Sequence, residues 1–95
     1  MTKREIITEF YAPTDDVLFA DGFDDAIIGF YENDWVVVYS RQKCVDILAA
    51  EFSEEEDVSD PEEVAREYLE YNTFSAYVGE RTPLFIDDLN WEQKL

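Results

Sequence analysis

Surplus negative charge on an apolar chain sets the terms for this fold. The 95 residues carry 24 Asp and Glu against 7 Lys and Arg, a formal net charge of −17, yet 46% are hydrophobic and 16% aromatic. An equally acidic chain without that apolar content would stay disordered. Seven Phe, six Tyr and two Trp supply the core, since one aromatic side chain buries roughly 150–250 Å². The acids must then lie outside, and packing has to offset their mutual repulsion. The length suits one domain, residues 1–95, with no linker and no internal repeat.

Local patterns predict an α+β fold: a small antiparallel sheet built on a central hairpin over about 25–39, with two helices packed on one face. Residues 25–31 (DAIIGFY) and 35–39 (WVVVY) are β-prone runs separated by Glu32-Asn33-Asp34, residues that tolerate positive φ. Trp35–Tyr39 is apolar on both faces, as a central strand is. Gly29 marks a bulge or a close approach beneath a ring. Ser40 caps a helix over 41–52, whose Cys44, Ile47, Leu48 and Phe52 form one apolar stripe. After an acidic loop, Asp60 and Pro61 start a second helix over about 61–72. Its apolar row is Val64, Tyr68 and Tyr71, with Ala65 and Leu69 beside it. Residues 5–11, 76–79 and 84–86 read as short strands. The last residues, from Asp87, read as a frayed tail unless Leu89 and Trp91 dock.

The reactive inventory argues against an enzyme. There is no histidine and one cysteine, Cys44, so a nucleophile–histidine pair cannot form within the chain. Cys44 sits on the apolar stripe and reads as a core residue. Asp87 and Asp88 with Glu92 and Lys94 are too tightly spaced for an acidic nuclease site. Asp15, Asp16, Asp21, Asp24 and Asp25 are hard-cation ligand types, but they lack the alternation and closing Glu of a calcium loop and read as turn chemistry. No cofactor and no metal is expected. A lone cysteine fits a reducing cytoplasm, the opening MTKREIITEF is no secretory signal, and no stretch is apolar enough to span a bilayer. Nucleic acid and anionic membranes should both be repelled.

What remains is the acidic surface. Carboxylates three or four residues apart on a helix lie about 6 Å from one another, a pitch comparable with phosphates along one DNA strand. Glu62, Glu63, Glu67 and Glu70 on the second helix, with Glu54, Glu55, Glu56 and Asp57 on the preceding loop, are the candidate residues for such a ridge. Tyr71, Phe74, Tyr77, Phe10 and Tyr11 are expected mostly in the core. Any left exposed are natural anchors at an interface.

Asp21-Gly22-Phe23-Asp24-Asp25-Ala26-Ile27-Ile28-Gly29, Val37-Val38-Tyr39-Ser40 with Lys43, Glu70-Tyr71-Asn72-Thr73, Ala76-Tyr77-Val78-Gly79-Glu80 and Thr82-Pro83 together resemble a family of small uncharacterised proteins of bacteriophage and plasmid-bearing genomes. The likeness covers roughly two-thirds of the chain from about residue 21, and the N-terminal segment and the acid-rich loop at 51–60 fall outside it. It implies a phage origin and a shared hairpin-plus-helices module, and it brings no catalytic residues. In this chain Gly22 and Gly79 suit backbone positions that other residues resist. Asn72 and Glu70 suit the polar groups of a helix end.

Together these features predict a small acidic phage protein of the host cytoplasm that acts by protein–protein interaction. It would mimic DNA to inhibit a basic, nucleic-acid-binding defence protein of restriction or CRISPR type. The alternative is a regulatory or assembly module that docks through exposed aromatics, its acidity serving solubility or salt adaptation. A homodimer is compatible with either.

Overall fold

The computed structural model describes residues 1–11, 17–32, 34–54 and 59–88. Among these residues the architecture is α+β, with a three-stranded sheet of order β1-β2-β3 and three α-helices. Strand β1 (Ile27–Tyr31) pairs antiparallel with β2 (Val36–Ser40) as the expected hairpin. The pairing slips between Ile27 and Gly29, so Gly29 does mark a bulge. A side chain there would meet nothing within 4 Å, so the glycine is not serving a close approach. β2 is the central strand, and Val36, Val37 and Tyr39 are all buried.

The sheet is mixed, which corrects the antiparallel expectation. Strand β3 (Leu84–Ile86) runs parallel to β2, pairing Val38 with Leu84 and Ser40 with Ile86. A parallel pair needs a long crossover, here the two long helices and the irregular 75–83 segment. That segment was expected to contain a strand at 76–79. Instead it folds as turns beside the start of β2, where Asp34 and Val36 share a hollow with Tyr77, Thr82 and Pro83. From there β3 can only run in the direction of β2.

Ser40 joins strand to helix. It ends β2, and its Oγ accepts the Lys43 amide at the start of α2 (Arg41–Phe52) while donating to Asp88 at 2.6 Å. Cys44, Val45 and Leu48 of α2 are buried, with Ile47 and Phe52 packed at the core's edge. α3 (Pro61–Leu69) begins as expected, with the Asp60 carboxylate accepting the Glu63 amide and Pro61 in the first turn. Beyond Leu69 it widens into a π-helical turn, Glu70–Phe74, where the Asn72 side chain donates to the Tyr68 carbonyl. Tyr39 stacks on Phe85 and Phe85 meets Phe74 at a tilt of 47°, with centroids 5.2 and 5.1 Å apart, and Arg41 lies over the Phe74 ring. This ladder ties the end of α3 to the sheet.

Residues 5–11 are helical, not a strand. α1 (Lys3–Ile6) starts at Thr2, whose hydroxyl accepts the Glu5 amide, and it continues as a π-helical turn over Ile7–Tyr11. Ile7 is buried, and Arg4 binds the segment down through Asp21, Asp24 and the Phe19 ring. Trp35 precedes β2 and does not belong to it. Its amide donates to the Glu32 carbonyl, and its φ is +56°, the left-handed region that glycine or asparagine usually fills. Leu89 and Trp91 lie outside the described residues, so their docking is left as an expectation.

Candidate functional site

Helix α3 turns a different face inward from the one its large side chains suggest. Ala65 and Leu69 are fully buried, whereas Val64, Tyr68 and Tyr71 are 41%, 51% and 85% exposed. The expected core row is therefore a surface row. Ala65 brings the two long helices close, and a tyrosine there would hold them apart. Tyr68 keeps one edge on Phe52, with centroids 6.2 Å apart and the rings nearly perpendicular. Tyr71, Tyr77, Phe10 and Tyr11 were also expected mostly in the core, and all four are exposed.

Moving one residue back along the helix moves about 100° around it, so Glu63, Glu67 and Glu70 flank that aromatic row. The carboxylates differ in what surrounds them. Glu70 accepts from Arg41 at 3.2 Å, and Glu62 lies 3.5 Å from Arg66 and takes a bond from Gln42. These are partly exposed pairs, each contributing little to stability, but they lower the charge presented outward. Glu63 and Glu67 make no ion pair with any described residue and are exposed. Glu54 is exposed in the turn after α2, on a different element. Glu55, Glu56 and Asp57 lie outside the described residues.

The bases account for this imbalance. Arg4 is paired with Asp21 and Asp24, Arg41 with Glu70 and Asp87, and Arg66 bridges Gln42 and Glu62. Arg4, Arg41 and Arg81 each lie over an aromatic ring, and Lys3 donates to the Asp25 carbonyl. Most of the positive charge is thus used in holding the fold together. Lys43 is exposed on α2.

Other candidates take on structural roles. Asp21 and Asp24 serve Arg4, and Gly22 beside them adopts φ +92° in the turn. Among the described residues no group of three His, Cys, Asp or Glu is placed to hold a metal. Asp87 and Asp88 engage Arg41 and Ser40, while Glu92 and Lys94 lie outside the described residues. Cys44 is buried, and burial pushes its thiol up to about 12, so the nucleophilic thiolate is suppressed. Among the described residues no helix is long and apolar enough to cross a membrane.

The exposed tyrosines could have been found from sequence only by asking which of two adjacent rows, Val64-Tyr68-Tyr71 or Ala65-Leu69, fits against α2. No family model, curated protein or solved structure matches the chain.

Proposed function

We propose that the chain is a protein-interaction module whose α3 face docks on a cationic, nucleic-acid-binding protein. The reading rests on one juxtaposition: Glu63 and Glu67, unpaired among the described residues, run alongside exposed Val64, Tyr68 and Tyr71. Charge steers a basic partner toward the helix, and the aromatic row supplies the desolvated contact in which binding energy concentrates. Support also comes from the chain's net charge of −17, which repels nucleic acid but attracts the groove of a protein that binds it. In that role the acidic row stands in for phosphates. The motif resemblance adds a setting, a phage protein acting in a host cell on a restriction or CRISPR nuclease.

The test is competition. A basic host protein captured by the chain at low salt should be released by duplex DNA and by added salt, because screening shortens electrostatic reach to about 8–10 Å near physiological ionic strength. A captured partner that ignores both would exclude mimicry.

The exposure of Tyr68 and Tyr71 favours one second reading, a regulatory or assembly module docking through aromatics alone. That module would bind equally well in high salt. Tyr68→Ala with Tyr71→Ala would abolish its binding, and Glu63→Gln with Glu67→Gln would leave it intact.

A further inference from the structure

Strand β1 is an edge of the sheet: β2 lies on one side of it, and among the described residues no strand lies on the other. An edge strand offers a row of backbone donors and acceptors to any chain that comes alongside. Edges that stay single are guarded by lysine, proline or inward-pointing charge. Ile27–Tyr31 reads IIGFY and carries none of these; what it has is the bulge between Ile27 and Gly29. Beside the strand runs an open, apolar groove of about 320 Å³. Residues 27–30 form one wall, and Lys3, Ile6, Ile7 and Tyr11 form the other. Ile6, Ile28 and Tyr11 are 37%, 38% and 53% exposed.

The charge of the groove narrows what covers it. The chain has 24 acids in 95 residues, yet none lines the groove, and its one charged residue is Lys3. A basic partner would find no carboxylate there and would meet a lysine, so this is not a second surface for the ligand of α3. Another copy of a chain at −17 is repelled elsewhere, and here it can approach with the least opposition. The charges at the two ends of β1 also match. The Lys3 ammonium donates to the Asp25 carbonyl just before the strand, and exposed Glu32 follows the strand. Neither makes an ion pair with a described residue. We propose that two copies of the chain pack groove to groove, their β1 strands antiparallel about a two-fold axis at Gly29. That alignment sets Ala26 opposite the partner copy's Glu32, so each Lys3 meets the other copy's Glu32 and the two pairs form together. Ile28 then lies opposite Phe30, closing the apolar walls over each other. Gly29 makes no close approach within its own chain, and the space over it is open, as a second backbone at the axis requires. The inference stands apart from the α3 reading and uses a different surface.

Sedimentation velocity of the full chain, from about micromolar to about millimolar concentration, tests it, because a homodimer forms by mass action. The mass should pass from one chain to two as concentration rises. Added salt should move the midpoint to lower concentration, since screening relieves repulsion between two strongly negative bodies. That is the reverse of its effect on a basic partner. Lys3→Glu and Glu32→Lys should each weaken the dimer about tenfold by setting like charges together. The double variant keeps the parent's net charge and should recover the parent's midpoint. A purely structural role for Lys3 at Asp25 would not be repaired by a change at Glu32. Ile28→Asp should leave the chain monomeric with an unchanged circular dichroism spectrum. Glu63→Gln with Glu67→Gln should dimerise at least as well as the parent, so failure of the α3 reading and failure of this one stay separable. A one-chain mass at every concentration would leave the groove to another occupant and overturn the proposal. So would a double variant no better than the single ones, or an Ile28→Asp variant that dimerises as the parent does.

Discussion

Tyr39 and Cys44 are titratable side chains that the interior encloses completely. Tyr39 is fully buried, stacks on Phe85 and accepts the Ala20 amide on its hydroxyl at 2.7 Å. Tyr39→Phe would keep the ring and leave that amide without its acceptor, so urea unfolding should show a loss of about 1–3 kcal/mol. Burial also raises the Tyr39 hydroxyl to about 12, as it does the Cys44 thiol. In the unfolded chain these groups ionise near 10 and 8.5 respectively. Both are therefore neutral in the fold at pH values where the unfolded chain would release their protons. Their contribution is complete below about pH 8.5 and is lost as pH climbs toward 12. The melting temperature should fall across that window, and Cys44→Ala should flatten its early part. The same burial predicts that a thiol reagent at pH 8 will leave the folded protein untouched and label it once urea unfolds it. A thiol that reacts at once would place Cys44 outside the core.

At the scale of elements, the helix starts were readable because the signals are local. Ser40 and Asp60 each offer an oxygen to an amide three residues on, and both bonds form. Asp60→Ala should cost about 1 kcal/mol. Ser40→Ala should cost more, since it removes a cap and also strips a partly buried Asp88 carboxylate of its hydroxyl donor. Thermal melts followed by circular dichroism would rank the two, and equal losses would mean that the Ser40–Asp88 bond contributes nothing. The hairpin was readable for the same reason, and so was the α2 stripe. Thr2 gave an equally local signal with Glu5, but the isoleucines after it resemble a strand and obscured it. The face of α3 and the direction of β3 depend on distant surfaces instead. Residues 64, 68 and 71 have the larger side chains, so their own sequence favours burying them. Only the shape of α2 selects Ala65 and Leu69. Three residues of β3 carry no record of their direction, which the turns at 75–83 impose. The acid row was visible in outline, but which of its members stay unpaired was not, because Arg41 comes to Glu70 from 29 residues away.

For the molecule as a whole, salt should act in opposite directions on folding and on binding. With most of the arginines engaged in internal contacts, the surplus carboxylates face one another across the surface and oppose compaction. Screening relieves that repulsion, so the melting temperature of the free protein should rise with ionic strength. The same screening weakens attraction to a basic partner, so affinity should fall over the same range. Glu63→Gln with Glu67→Gln separates the two effects. Neither carboxylate pairs with a described residue, so among the described residues the variant loses no ion pair, and it sheds two repelling charges. It should melt at the parent's temperature or slightly above, within the roughly 0.5 kcal/mol typical of surface changes. Its complex with the proposed basic partner should dissociate faster and depend less steeply on salt. A variant that melts as predicted but binds with the parent's affinity and salt slope would show that the partner is held elsewhere. The charge on α3 would then be serving solubility alone.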